Sequence, residues 1–218
     1  AQFYLGQYFK YEQEDKKYYS QAFNWFKSAA EQEHAFAQLE VAMMLEDGEV
    51  IPEDKTRAVY WYKKAAGNGV AEAQAILGAL YYYGEIVAIN YKKAVYWFKK
   101  AAENGHINAQ DHLGAMYLHG KGVTQDFKQA FNWYIKAAEK GSVNSQANLG
   151  KMYGNGDGVE QDFILAYKWT NLAALQEENK SNDYLEWLKN RMSKKQINEA
   201  VSLSKKWLEI NSKEKPGN

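Results

Sequence analysis

Tryptophan returns every 36 residues along this chain, at Trp25, Trp61, Trp97, Trp133 and Trp169. The same step carries Ala29-Ala30, Ala65-Ala66, Ala101-Ala102, Ala137-Ala138 and Ala173-Ala174. It also carries a lone alanine (Ala22, Ala58, Ala94, Ala130, Ala166) and a glutamine (Gln2, Gln38, Gln74, Gln110, Gln146). Gly6, Gly78, Gly114 and Gly150 keep the register too, with Ala42 in the second slot. Registers that agree through five copies without one insertion are not a product of chance. The chain must fold as an array of like units, each resting on its neighbour.

Spacing within the unit predicts two α-helices. In the fourth copy Ala130, Trp133, Tyr134, Ala137 and Ala138 fall at i, i+3, i+4, i+7 and i+8, one helical face. Asp126 is placed to cap that helix, and Gly141 to end it. The preceding helix sets Ala109, Leu113, Met116 and Tyr117 on one face and stops at Gly120. The loop between them carries Val123, with Val159, Val87 and Ile51 in the same slot, an apolar plug under the turn. Proline occurs only at Pro52 and Pro216, which leaves the helices unbroken. A helix pair cannot bury its own apolar face, but stacked pairs can. The tryptophan column is expected to be core, so a Trp to Ala truncation should cost about 3–5 kcal/mol.

Repeats are expected at 1–34, 35–70, 71–106, 107–142 and 143–178. The first is degenerate around Glu12–Lys17, and the last ends in Glu177-Glu178-Asn179 in place of a glycine turn. Residues 179–211 should supply capping helices: one with Tyr184, Leu185, Trp187 and Leu188, another opened by a capping box at Ser193 and Gln196. Residues 212–218 are expected to be a disordered tail.

The unit A-Q-x-x-L-G-x-M-Y-x-x-G-x-G-V-x-x-D-F-x-x-A-x-x-W-Y-x-K-A-A-x-x-G, nearly complete from Ala109 to Gly141, resembles the Sel-1-like repeat, a branch of the tetratricopeptide solenoids. The segment from Arg191 resembles the end of many members. The resemblance implies an all-α, right-handed superhelical solenoid whose first helices line a concave groove. It also implies a non-enzymatic adaptor role, with immunity proteins that neutralise secreted toxins as an alternative. A cysteine-rich branch is linked to β-lactams, which makes a β-lactam-processing hydrolase the third reading; this chain has no cysteine. Bacterial origin and export are what the resemblance favours for compartment. The opening AQFYLGQYFK lacks the basic and apolar regions of a signal peptide and an initiating Met, so it reads as a processed or trimmed end.

Chemistry is sparse. Lys+Arg and Asp+Glu both number 27, so the chain as a whole lacks the basic surplus that holds nucleic acid. No apolar run is long enough to span a membrane. His112 and His119 share a helical flank, but no carboxylate completes a familiar ligand set. The glycines of 154–158 follow a helix rather than a strand and occupy the ordinary turn slot, and Gly120-Lys121 lacks the Ser/Thr of a phosphate loop. Ser202-x-x-Lys205 and Ser212-x-x-Lys215 match a β-lactam nucleophile motif by letters, with no Lys-Thr-Gly partner. Lys63-Lys64, Lys99-Lys100 and Lys136 offer either a basic ridge for an acidic partner or lipid headgroups or, the preferred reading, a solvated face balanced by nearby Glu. No cofactor and no metal are expected, nor a small-molecule ligand.

The expected partner is a protein or peptide. Positions that repeat serve packing, so recognition should use first-helix positions that vary and face solvent. The slots equivalent to 111, 115 and 118, with 112 and 119 on their flank, lie opposite the apolar face. From them Tyr4, Tyr11, Met43, Asp47, Tyr82, Tyr83, His112, Leu118, His119, Asn148 and Asn155 are the candidate contacts.

Overall fold

The computed structural model describes residues 1–11, 16–48, 51–176 and 183–213. Among them are twelve α-helices and no strand. Five pairs follow the repeats: α1 (Gln2–Tyr11) with α2 (Lys16–Glu31), α3 (Ala35–Asp47) with α4 (Lys55–Gly67), α5 (Ala71–Tyr83) with α6 (Tyr91–Glu103), α7 (Ile107–His119) with α8 (Phe127–Glu139), and α9 (Val143–Asn155) with α10 (Phe163–Gln176). Two further helices, α11 (Asp183–Lys189) and α12 (Lys194–Lys213), follow. The chain divides into two compact units, residues 1–109 and 110–218. The degenerate stretch of the first repeat at 12–15 and the Glu177-Glu178-Asn179 turn lie outside the described residues.

The second helices start where a side chain can replace a missing turn. Asp54, Asn90, Asp126 and Asp162 each accept from the backbone N–H three residues on, at 2.9–3.0 Å. Caps of this kind stabilise a helix by about 1 kcal/mol each. Gly141, at φ +89°, takes the left-handed conformation just past α8.

The deepest column lies one residue beyond the tryptophans. In the first unit Phe26, Tyr62 and Phe98 are essentially inaccessible; in the second, Tyr134 is, and Thr170 nearly so. The glycine column of the first helices exists to admit them. A Cβ at Gly78 would sit 2.6 Å from Cδ1 of the Phe98 ring, and one at Gly114 would sit 2.8 Å from Cδ1 of Tyr134. Such distances are far inside van der Waals contact, so helix and ring approach only because that side chain is absent. The tryptophans are less uniform than expected. Trp61, Trp133 and Trp169 are buried, whereas Trp25 and Trp97 are only half-buried. An indole is too large to fit wholly behind the next helix, and its outer edge serves as a shelf for lysine: Lys136 lies 4.3 Å from the Trp133 ring centroid and Lys168 lies 4.0 Å from that of Trp169.

The repeating glutamine is a buried clamp. Gln74 donates to the Ala66 carbonyl at 3.0 Å and accepts from Asn104 Nδ2 at 3.2 Å. Gln38 does the same with Ala30 and Asn68, and Gln146 with Ala138 and Gln176. Each thus joins the end of one second helix to the end of the next. Gln74→Leu should cost about 1–3 kcal/mol in urea unfolding, because the amide bonds vanish while the apolar volume is kept. A variant as stable as the parent would show that the clamp serves register alone.

The last described helices close the second unit. Ser204 Oγ donates to the Lys168 carbonyl at 3.2 Å, and Trp207 meets Trp169 edge-on at 6.4 Å. The capping box forms as read, with Gln196 Oε1 accepting from Ser193 N at 2.9 Å and Ser193 Oγ accepting from Gln196 N at 3.3 Å. The tail differs from expectation at its start. Ser212 and Lys213 continue α12, Ser212 Oγ donating to the Glu209 carbonyl at 3.1 Å. Residues 214–218 lie outside the described residues.

Candidate protein-binding surface

Each first helix has three kinds of position. One side meets its own second helix, as Leu77 and Gly78 do. A second kind ties one first helix to the next. Lys10 pairs with Glu40 at 2.6 Å, their side chains only 11% and 15% exposed. Burial pushes the Lys10 ammonium downward, but the hydrogen bonds to Glu40 and Tyr11 outweigh it and leave its pKa raised. In the second unit Ser145 Oγ donates to Asp111 Oδ1 at 2.6 Å. Glu46, by contrast, turns to its own second helix and accepts from the buried Tyr62 hydroxyl, whose titration is displaced upward by burial and then by that carboxylate.

The third kind faces solvent. It is the stripe at i, i+4, i+7 and i+11 that contains slots 112, 115 and 119, extended one turn toward the helix start. In the first unit this stripe presents Tyr4 (71% exposed) and Tyr11 from α1, Phe36 (59%), Met43 and Asp47 from α3, and Tyr83 (54%) from α5. Glu40 and Ile76 fill the half-buried floor between them. In the second unit it carries His119, Asn144, Lys151 and Asn155 exposed, with His112 and Asn148 half-buried. The first unit offers aromatic and acidic groups, the second mainly polar ones.

Slots 111 and 118, expected to face outward, are packed instead. Leu39 and Ala75 are 8% exposed, and Gly154 is buried. Tyr82 is half-buried, its ring 4.9 Å from Tyr83 and 5.4 Å from Tyr91, both edge-on. Leu118 packs against the core around Tyr134 and Leu149. The reason is geometric: neighbouring elements occupy the flanks of the outward arc, Tyr91 of α6 lying against Tyr82 and Tyr184 of α11 against Gly154, so only the middle stays open. Phe36 was missed because the slots were read from the second turn onward. One more helical step back from Glu40 reaches it.

The remaining candidate chemistries have ordinary places. Gly156 (φ +80°) and Gly158 (φ +72°) form the repeat turn, and Gly158 lies on the backbone of Phe127. Asn155 Nδ2 donates to Asp157 in that same turn at 3.0 Å. Ser202 and Lys205 are exposed on α12. Among the described residues no three His, Cys, Asp or Glu side chains converge as a metal site would require. No described helix is long and apolar enough to cross a membrane.

A family model described as the Sel1 repeat matches at residues 1–34, 35–70, 71–106, 107–142 and 143–177. Among solved structures, a protective antigen of uropathogenic Escherichia coli strains displaying an SLR fold is 34% identical. Its TM-score is 0.82, with 100% of this chain and 48% of that one covered. The present chain therefore spans about half the length of that antigen. A Sel1 repeat protein from Oxalobacter formigenes is 30% identical over 98% of this chain and 87% of its own, with a TM-score of 0.78. Comparison with curated proteins returns no match.

Proposed function

The chain belongs to the Sel1 repeat family, and from that premise we propose that it is a non-enzymatic adaptor holding a polypeptide on the solvent-facing stripe of its first helices. Sel1 repeats generally mediate protein–protein interaction. The observation that carries the assignment to this stripe is the exposure of Tyr4, Tyr11, Phe36, Met43 and Tyr83 at positions the repeat does not conserve. Packing explains every invariant slot, whereas these side chains keep much of their surface in solvent. Large aromatics at the centre of an interface contribute most of its affinity, commonly 2 kcal/mol or more each. Asp47 beside them, exposed at the end of α3, would favour a partner segment carrying lysine or arginine.

The test is affinity capture with mass spectrometry from the native organism, comparing the intact protein with a Tyr4→Ser/Phe36→Ser/Tyr83→Ser variant. A polypeptide retained by the first and lost by the second, with melting unchanged, is the expected result. Equal retention would move the binding site off this stripe. Hydrolysis of a chromogenic β-lactam by the purified protein would overturn the non-enzymatic reading.

A further inference from the structure

The second helices of the middle repeats carry a charge pattern that the balanced total conceals. Along α4 and α6 stand Lys55, Arg57, Lys63, Lys64, Lys92, Lys93, Lys99 and Lys100, against one carboxylate, Glu103. Three of these cations have acidic neighbours: Lys55 with Glu53 at 2.8 Å, Arg57 with Asp54 at 3.9 Å, and Lys64 with Glu33 at 3.1 Å. Lys63, Lys92, Lys93, Lys99 and Lys100 have no ion-pair partner among the described residues. The expectation of a face neutralised by nearby glutamate thus holds for Lys64 and not for Lys63, Lys99 or Lys100.

Two tyrosines at the same repeat position rise from this basic ground. Tyr60 and Tyr96 are each 53% exposed, and Lys100 lies 5.4 Å from the Tyr96 centroid. Beside them are two hollows. One, of about 370 Å³, is walled by Val59, Tyr60, Lys63, Ile86 and Val87. The other, of about 360 Å³, opens between the end of α4 and Tyr96, Trp97 and Lys100 of α6. Each would accept one side chain; Lys63 stands on the wall of the first with no carboxylate beside it, whereas the second sets Glu103 next to Lys100, so the first is the seat for the anchor.

We propose that this outer face of α4 and α6 is a second docking surface, which takes an acidic polypeptide segment carrying a branched aliphatic or aromatic anchor. Charge complementarity selects the sign of the partner, because uncompensated lysines around an apolar recess favour carboxylates flanking an apolar residue. The aliphatic wall of Val59, Ile86 and Val87 suits a leucine-like side chain better than a nucleobase, which needs stacking and polar edges. A flat bilayer surface could not reach Val59, Ile86 and Val87 inside their recess, although Tyr60 and Tyr96 stand clear of it. This surface is separate from the first-helix stripe, so either can fail alone.

The probe is a fluorescein-labelled synthetic peptide of glutamate and aspartate around one central leucine, read by anisotropy. Binding is expected to weaken as salt rises from about 0.05 to 0.5 M, as screening requires. It should fall by at least about tenfold in Lys63→Gln/Lys99→Gln, in Tyr60→Ser/Tyr96→Ser, and for a peptide with serine in place of leucine. Tyr83→Ser should bind it normally. All substituted side chains are exposed, and unchanged melting checks the fold. Absence of binding overturns the proposal, as does equal binding of the serine peptide. So does tighter, lysine-dependent binding of phosphatidylserine vesicles or of an oligothymidylate.

Discussion

Phe98→Ala is expected to cost the first unit about 3–5 kcal/mol, the range for emptying a fully buried aromatic site. The ring rests against the bare backbone at Gly78, so no side chain stands ready to fall into the void. Gly78→Leu attacks the same contact from the other side and should cost roughly 3 kcal/mol or more, because a branched side chain has to displace the ring. The informative measurement is the pair. Gly78→Leu/Phe98→Ala puts volume on one helix where it is removed from the other, so its cost in urea unfolding should fall well below the sum of the singles. Additive costs would mean that the two residues do not share the space assigned to them. Repeat two pairs Ala42 with Tyr62 in these slots, so Gly78→Ala should cost less than Gly78→Leu, although its Cβ still forces the Phe98 ring to shift.

Gly154→Leu should loosen the end of the second unit. The slot holds Lys10, Glu46, Tyr82 and Leu118 in the other copies, and glycine only here. Any Cβ at 154 would collide with the Tyr184 hydroxyl, which is buried without a hydrogen-bond partner among the described residues. Leucine there would evict Tyr184 and with it the stacked Trp187, 5.3 Å away at 13°. A loss of roughly 2–3 kcal/mol is expected, with faster hydrogen exchange concentrated in α11 and α12. Tyr184→Ala in the same background should recover part of it. By contrast, Tyr184→Phe alone should raise stability by about 1 kcal/mol, because it removes a desolvated hydroxyl that gains no hydrogen bond. Burial also raises the pKa of that phenol, consistent with a hydroxyl cut off from water. Uniform exchange across the unit would place the stress elsewhere.

Much of the fold was legible in the chain. Helix pairing, caps at Asp126 and Ser193, the turn at Gly141 and the alanine columns follow from local chemistry that acts within a few residues. The tryptophans were the exception. Their regularity marks the repeat, yet the deepest burial belongs to Phe26, Tyr62, Phe98 and Tyr134, one position further on. Sequence spacing places both columns on the same side of the helix and cannot tell which points at a neighbour's glycine. The solvent-facing stripe was legible in part for the same reason. Tyr4, Tyr11, Met43, Asp47, Tyr83 and His119 are exposed, while Tyr82 and Leu118 are drawn into packing. A single helix has one outward arc, and only its neighbours decide how wide the arc remains.

Five like helix pairs, their caps and their invariant interior were determined by the order of residues alone, because periodicity and short-range hydrogen bonding need no knowledge of distant segments. Which face stays open, where Phe36 joins Tyr4 and Tyr83, and which lysines go uncompensated were decided only by tertiary structure. Those properties depend on what each side chain meets across a gap between helices, and that gap exists only once the helices are stacked.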